Sequence, residues 1–192
     1  SYRNEPNPVE GRHEKVFPMF EFESHGGMDK LEEMEEELLG FLGFGSEYGK
    51  IKYDEACEKY GVDELDYDEE EAMSKELGTC TFLSHFPHRT HPFWNMKQND
   101  DDKNLYNKID VIMHGQETIG SAERATNVDE MRENFHTISD GEYAQLLYNH
   151  FTKERVEKEL EEYLSHDFFP RFGGGIGVTR MVRAMEMSGL MK

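Results

Sequence analysis

Apolar and polar residues alternate near the start of the chain, where phenylalanine and glutamate take turns over residues 20–23. This two-residue period predicts a strand with one apolar and one acidic face. Further on, apolar residues recur at steps of three and four among glutamates: Met28, Leu31, Met34, Leu38 and Leu42. That spacing predicts an amphipathic helix that ends at Gly43 or Gly45.

The middle of the chain contains shorter patterned segments. Residues 53–60 and 69–77 predict two short helices, which stop at Gly61 and Gly78. Residues 79–86 form an apolar run that predicts a buried strand. The acidic stretch between the two helices is typical of a solvated surface.

Residues 109–113 predict a strand that opens a hairpin at His114–Gly115. A turn centred there places Ile112 opposite Glu117. Asp110 then shares a face of the hairpin with Glu117, one diagonal step away. The two carboxylates are therefore near enough to share a cation.

The last third of the chain predicts a long helix over residues 140–164, capped by Ser139 or Asp140. A glycine-rich turn at residues 173–177 precedes a final helix. The order of elements lacks a regular alternation of strand and helix, so it predicts an α+β fold with an antiparallel sheet flanked by helices. The glycine run has no Lys-Ser/Thr pair and comes too late for a dinucleotide fingerprint.

The composition predicts a single domain over residues 1–192 and limits the classes of partner that it can bind. The chain has 41 Asp and Glu residues and 21 Lys and Arg residues, which gives a formal net charge of -20. This charge opposes binding of polyanions, so we expect any tRNA contact to be local or to lie outside this chain. No apolar run approaches the roughly 20 residues of a membrane span, and the polar start is no signal peptide, so we expect a cytoplasmic protein without membrane contact.

Three separated segments of the chain carry side chains of the kinds that bind a nucleotide and its metal ion. Arg3 and Arg180 suit phosphate, because a guanidinium binds phosphate through paired donors. Asp110 and Glu117 suit Mg²⁺, and Phe17, near a strand start, suits a purine ring. Together these residues predict an ATP site.

The same segments resemble the catalytic domain of class II aminoacyl-tRNA synthetases. Residues 2–5 are similar to the Phe-Arg-x-Glu opening of the second motif of that class, and residues 12–23 are similar to its loop and return strand. Residues 173–180 are similar to the third motif, Gly-x-Gly-x-Gly-x-x-Arg. In residues 109–124 an aspartate, a glutamate and an arginine stand seven residues apart, as in the aspartyl and asparaginyl branch, which includes tRNA-independent asparagine synthetase relatives.

For the nucleotide, the resemblance implies that Arg3 and Arg180 are the catalytic groups. Arg3 would hold the α-phosphate and the substrate carboxylate, and Arg180 would bind the γ-phosphate. Glu5 would contact the adenine amino group, while Phe17 would stack under adenine. The loop of the second motif and the third motif add four further nucleotide-binding positions: Arg12, His13, Gly175 and Gly177.

For the amino acid, the resemblance implies that Arg124 receives the side-chain carboxyl or amide of the substrate, with Glu21 beside it. Asp110 and Glu117 would hold Mg²⁺. Arg124 lies an odd number of residues from Glu117, so a straight strand would point it to the opposite face. A bulge near Gly120 would correct its direction.

Substrate choice within the branch leans towards asparagine. Residues 17–23 resemble the asparaginyl form of the return strand, because the aspartyl form has aspartate where Glu21 stands. Residues 82–87 and 93–96 are also similar to the asparaginyl form, whereas residues 91–93 are similar to the aspartyl loop.

The resemblance therefore implies an ATP-dependent ligase that activates asparagine or aspartate as an adenylate and passes it to tRNA. One alternative is a tRNA-independent enzyme that combines aspartyl-adenylate with ammonia, and another is a non-catalytic relative that serves as a binding subunit. The first motif of the class builds its dimer interface and has no counterpart ahead of Tyr2, so we expect a partial domain whose full-length form is a homodimer. Thr179 departs from the acidic residue that the branch usually has before the arginine.

Overall fold

The computed structural model describes residues 1–9 and 14–191. Its centre is a seven-stranded sheet in the spatial order β1-β2-β7-β6-β5-β4-β3. The strands are Tyr2–Asn4 (β1), Val16–His25 (β2), Gly49–Lys52 (β3), Cys80–Pro87 (β4), Leu105–Met113 (β5), Gln116–Glu123 (β6) and Arg171–Gly177 (β7). Neighbouring strands are antiparallel except β3 and β4, which are parallel. The predicted α+β fold is confirmed, and the parallel edge strand is an addition to it.

Seven helices flank the sheet in the described residues: Met28–Leu42 (α1), Tyr53–Tyr60 (α2), Tyr67–Glu76 (α3), Val128–Thr137 (α4), Glu142–Phe151 (α5), Lys153–Leu164 (α6) and Val178–Met187 (α7). Helices α1 and α7 cover one face, where Leu31 and Leu39 pack against Ile109 and Ile119. Helices α4–α6 form a separate cluster around the buried Trp94. None of the helices in these ranges is long and apolar enough to cross a membrane.

The three predicted helices of the first half are confirmed, with small shifts at the ends of α3. Helix α1 ends at Gly43, and α2 ends at Gly61. Both glycines are left-handed, with φ of 99° and 71°, and their backbone N–H groups donate to the last carbonyls of the helix. Glycine adopts this conformation without a steric cost, so it ends a helix readily.

The prediction of one long helix over residues 140–164 is wrong. Ser139 and Asp140 are left-handed, with φ of 51° and 54°, and α5 begins only at Glu142. The chain breaks again at Thr152, with φ of 70°, whose hydroxyl accepts a hydrogen bond from the Arg155 N–H at 3.5 Å. Thr152 therefore caps α6. The sequence does not reveal this cap readily, because apolar residues recur at helical spacing on both sides of the break.

The prediction of a glycine-rich turn at residues 173–177 is also wrong, because these residues belong to β7 in the middle of the sheet. A Cβ atom at Gly173 would collide with the Glu23 carboxylate, and one at Gly174 would lie 2.6 Å from the Ser121 Cβ. The glycines have ordinary strand conformations. Gly173 and Gly174 are required here because neighbouring groups fill the space that a side chain would occupy.

Candidate active site

Two adjoining cavities lie on the face of the sheet opposite α1 and α7. The first has a volume of about 330 Å³, and its lining includes one predicted metal ligand, Glu117, and six of the predicted nucleotide-binding residues: Arg3, Glu5, Phe17, Gly175, Gly177 and Arg180. The second, of about 660 Å³, includes both predicted amino-acid residues, Glu21 and Arg124. Arg3, Gly120 and Gly175 line both cavities. The fold thus brings residues from both ends of the chain into one cleft.

The edge pair β1 and β2 positions the first group of these side chains. Arg3 pairs with Phe17 across the two strands. Phe17, Met19 and Glu21 share the cleft face of β2, because side chains alternate between the faces of a strand. A Cβ atom at Gly175 on β7 would lie 2.7 Å from the Met19 methyl group, so the glycine lets β2 carry a large side chain there.

Arg180 lies in the first turn of α7, directly after β7. Its Nη1 donates a hydrogen bond of 2.6 Å to the backbone carbonyl of Glu117 on β6. This bond fixes the guanidinium against the strand that carries one of the two predicted metal ligands. The helix begins at Val178 after an extended Gly177, so the arginine is presented at a helix N-terminus, which favours anions.

The two predicted metal ligands converge over one glycine. Ile112 is opposite Glu117, as predicted from the hairpin turn. A Cβ atom at Gly120 would lie 2.7 Å from Oε1 of Glu117 and 3.4 Å from Oδ1 of Asp110. The predicted bulge near Gly120 is present two residues earlier, where Thr118 is the extra residue between the paired positions on β6. It leaves Arg124 facing the cleft.

Asp110 is a buried acid whose pKa is raised. Burial raises its pKa to about 7, the Lys108 ammonium opposes this rise and the Glu117 carboxylate adds to it. Lys108 forms an ion pair with Oδ2 of Asp110, and its Nζ lies 3.6 Å from the centre of the Phe86 ring. Sequence reasoning missed Lys108, although a spacing of two residues on a strand places it on the same face as Asp110.

The carboxylate pair fits a magnesium ion. Oδ1 of Asp110 is buried and has no hydrogen-bond partner within the part of the chain that the structure describes. Among the described residues, no group of three or more metal-binding side chains occurs. Mg²⁺ commonly binds one or two carboxylates and completes its shell with substrate phosphates and water, so two carboxylates are a sufficient contribution from the protein.

The second cavity contains two arginine–glutamate pairs. Arg124 Nε donates a hydrogen bond of 3.0 Å to Oε1 of Glu23, and Arg124 Nη2 lies 2.9 Å from the same oxygen as an ion pair. Arg3 Nη2 donates to Oε1 of Glu21 at 3.4 Å. The acidic partner of Arg124 is therefore Glu23, which was not among the predicted site residues. The alternation on β2 that places Glu21 on the cleft face places Glu23 there as well.

A loop forms the wall of this cavity beside Arg124. Met96 forms an isolated bridge with Arg124, and the Ala125 N–H donates to the Asn95 carbonyl at 2.8 Å. Nζ of Lys97 donates to the buried Glu123 carboxylate at 3.0 Å. The loop is thus held as an extension of the sheet.

Arg12 and His13, the two predicted loop contacts to the nucleotide, lie outside the described residues. All other predicted site residues except Asp110 line one of the two cavities. Asp110 lies beside them, next to the Glu117 carboxylate.

A mainly antiparallel sheet flanked by helices, with this cleft across its face, defines the class II aminoacyl-tRNA synthetase catalytic fold. Residues 11–189 match the family of tRNA synthetases class II (D, K and N), and the chain belongs to this family. The family takes its name from aminoacyl-tRNA synthetases, which are ATP-dependent ligases. The resemblance and the fold class inferred from the sequence are both confirmed.

Several relatives share the fold at low sequence identity. A curated aspartate–tRNA(Asp/Asn) ligase from Haloquadratum walsbyi is 24% identical over 76% of this chain and 33% of its own length. The solved asparaginyl-tRNA synthetase from Pyrococcus horikoshii, complexed with asparaginyl-adenylate, has a TM-score of 0.74 and 20% identity over 94% of this chain and 46% of its own. The aspartyl-tRNA synthetase from Entamoeba histolytica has a TM-score of 0.71 and 19% identity over 96% and 43%. The chain thus spans a third to just under half the length of these proteins.

Proposed function

We propose that this chain contains the adenylate-forming site of an ATP-dependent ligase that activates asparagine for transfer to tRNA. The observation that carries the proposal is the position of Arg3, which lines both cavities. We assign the first to the nucleotide (the nucleotide cavity) and the second to the amino acid (the amino-acid cavity). A guanidinium at the junction contacts the two groups that react, the α-phosphate of ATP and the α-carboxylate of the amino acid.

The nucleotide cavity supports ATP binding in a defined direction. Phe17 offers an aromatic face for adenine, and Glu5 offers an acceptor for its amino group. Arg180, held at the start of α7, takes the γ-phosphate. Asp110 and Glu117 would hold Mg²⁺, which supplies neutralisation of phosphate charge when bound.

The reaction that follows is attack of the amino-acid carboxylate on the α-phosphorus of ATP. A new oxygen–phosphorus bond forms, the bond to the bridging oxygen breaks, and pyrophosphate leaves. No protein base is needed because a carboxylate is already a nucleophile. The work of Arg3 and Arg180 is to align the reactants and to offset the charge that develops on the phosphates.

Asparagine is favoured over aspartate by the charge at the end of the amino-acid cavity. Arg124 already has a carboxylate partner in Glu23, so the pair has no net charge left to attract a second carboxylate. An amide suits both members, since its carbonyl accepts from Arg124 and its NH₂ group donates to Glu23. The asparaginyl-adenylate complex of the Pyrococcus horikoshii neighbour is consistent with this choice.

A second candidate is an ammonia-dependent synthetase that makes asparagine from aspartyl-adenylate. The formal charge of -20 favours it, because a small acceptor avoids the repulsion that tRNA would meet. The two candidates share the nucleotide site and differ in the amino acid and in the acceptor.

The test is ATP–pyrophosphate exchange by the full-length protein with asparagine and with aspartate, followed by product analysis with tRNA or ammonia. We expect exchange with asparagine and aminoacylation of tRNA. Asparagine formed from aspartate and ammonia without tRNA would establish the second candidate instead. Absence of exchange with either amino acid would leave a non-catalytic binding subunit.

The same assay checks the role of Arg180. An Arg180→Ala variant is expected to lose exchange by roughly 100-fold or more, because a charged donor to the phosphates is removed. Arg183→Ala is the matched control, since Arg183 lies one turn further along α7 and contacts the His114 carbonyl. Equal activity of the two variants would refute the assignment of Arg180 to phosphate.

A further inference from the structure

One amide in the wall of the amino-acid cavity has unused hydrogen-bonding capacity. Asn95 lines the cavity, and its side-chain Oδ1 is buried without a hydrogen-bond partner among residues 1–9 and 14–191. A buried acceptor without a partner is destabilising, and native proteins retain few of them.

The backbone of Asn95 is held firmly. Its carbonyl accepts from the Ala125 N–H at 2.8 Å, and the next residue, Met96, pairs with Arg124. The Lys97 N–H donates to the Glu123 carbonyl at 2.9 Å. The unpaired side-chain acceptor therefore belongs to a segment whose backbone is held by hydrogen bonds.

The position of Asn95 along the cavity indicates which part of the amino acid it meets. Arg3 marks the end that adjoins the nucleotide, where the α-carboxylate reacts. Arg124 marks the end that receives the side chain, and the backbone contacts place Asn95 beside Arg124. Asn95 thus lies at the side-chain end.

We propose that Asn95 is a specificity-determining residue whose Oδ1 accepts a hydrogen bond from the side-chain NH₂ group of the substrate. This inference rests on the proposed adenylation site. An asparagine side chain supplies the missing donor, and an aspartate side chain at neutral pH supplies none. Together with Glu23, Asn95 forms an acceptor pair that an amide satisfies and a carboxylate does not.

The experiment compares three variants of the full-length protein in pyrophosphate exchange with asparagine and aspartate. Asn95→Ala removes the acceptor, Asn95→Asp keeps an acceptor of the same shape, and Asn104→Ala makes the same truncation at an exposed position of the loop that follows. Thermal unfolding of each variant is measured in parallel.

For Asn95→Ala, we expect the ratio of kcat/KM for asparagine over aspartate to fall by roughly 10- to 100-fold, mainly through KM for asparagine. Asn95→Asp is expected to keep asparagine activity within a few-fold and to exclude aspartate further. Asn104→Ala is expected to leave the ratio unchanged. If Asn95→Ala does not fold, the Asn95→Asp result decides, because its carboxylate cannot present a donor.

Several outcomes overturn the inference. An unchanged ratio in Asn95→Ala, an equal loss with both amino acids, or loss of asparagine activity in Asn95→Asp would each exclude recognition of the side-chain NH₂ group. In all three cases exchange by the unaltered protein still supports the proposed function. Absence of exchange by the unaltered protein overturns the proposed function and this inference with it.

Discussion

At the scale of single residues, a buried acid in the helix layer shows what burial does to a carboxyl group. Glu35 lies on the core face of α1 and is fully buried. Burial raises its pKa to about 8; the Ser121 hydroxyl opposes the rise, and the Asp110 carboxylate adds to it. The side chain is therefore protonated at neutral pH, and it ionises in the unfolded chain at a much lower pH.

This shift predicts a pH-dependent cost. Between the unfolded pKa near 4.5 and the folded value near 8, the unfolded state binds fewer protons than the folded state. The free energy of unfolding then falls as pH rises, by at most about 1.4 kcal/mol per pH unit for one group. Glu35→Gln keeps the shape and removes the proton equilibrium.

We expect Glu35→Gln to unfold with a free energy close to that of the unaltered protein at pH 5 and with a clear advantage at pH 8. Urea denaturation of both proteins at the two pH values measures this difference. Glu37→Gln, at an exposed position of the same helix, is the control and should show no such advantage. An advantage of Glu35→Gln that is constant with pH would contradict the raised pKa.

At the scale of elements, β7 shows why a glycine-rich strand can lie between two other strands of this sheet. Gly174 faces the core, where a Cβ atom would lie 2.6 Å from the Ser121 Cβ and 2.7 Å from the Gly120 carbonyl oxygen. At Gly177 the nearest heavy atom to such a Cβ would be 3.6 Å away, which is ordinary van der Waals contact. The two glycines of one strand therefore differ in their tolerance of a side chain.

Gly174→Ala is expected to lower the free energy of unfolding by roughly 1–3 kcal/mol or more, because backbone and a short side chain must move to admit the methyl group. Gly177→Ala is expected to change it by less than about 1 kcal/mol. Chemical denaturation of both variants makes the comparison. Similar losses in the two variants would show that packing does not explain the glycines of β7.

At the scale of the whole molecule, the cleft joins distant parts of the chain. Arg3 comes from the first strand and Arg180 from the last helix, and the carboxylate pair comes from the central hairpin. Arg3 lines both cavities, whereas Arg124 lines only the second of the two. Under the proposed function, Arg3 would therefore contribute to binding of both the nucleotide and the amino acid.

This arrangement predicts three different binding profiles. Arg3→Ala is expected to weaken the binding of both ATP and asparagine by roughly 10-fold or more. Arg180→Ala is expected to weaken only the binding of ATP, and Arg124→Ala only the binding of asparagine. Titration calorimetry with each ligand separately measures these affinities. Arg155→Ala, which removes a surface pair with Glu159, is the control. A loss confined to one ligand in Arg3→Ala would contradict its place at the junction.

Local sequence patterns predicted those parts of the fold that depend on residues close together in the sequence. The apolar steps of α1 and its terminal glycine were sufficient, as was the two-residue turn that sets Ile112 opposite Glu117. The break at Thr152 was missed because apolar residues on its two sides continue one helical period. The glycine run was taken for a turn because its steric reason, the crowding by Glu23 and Ser121, comes from other strands.

The sequence by itself determined the family, the mainly antiparallel sheet with its helices, and the set of charged residues that face one cleft. It could do so because motif spacing and side-chain alternation are properties of short segments. Only the tertiary structure decided that Glu23 pairs with Arg124, that Lys108 holds Asp110, and that Arg3 lies between two cavities. These contacts join residues on different strands or depend on how deeply a side chain is buried, and only packing of the whole chain fixes such distances.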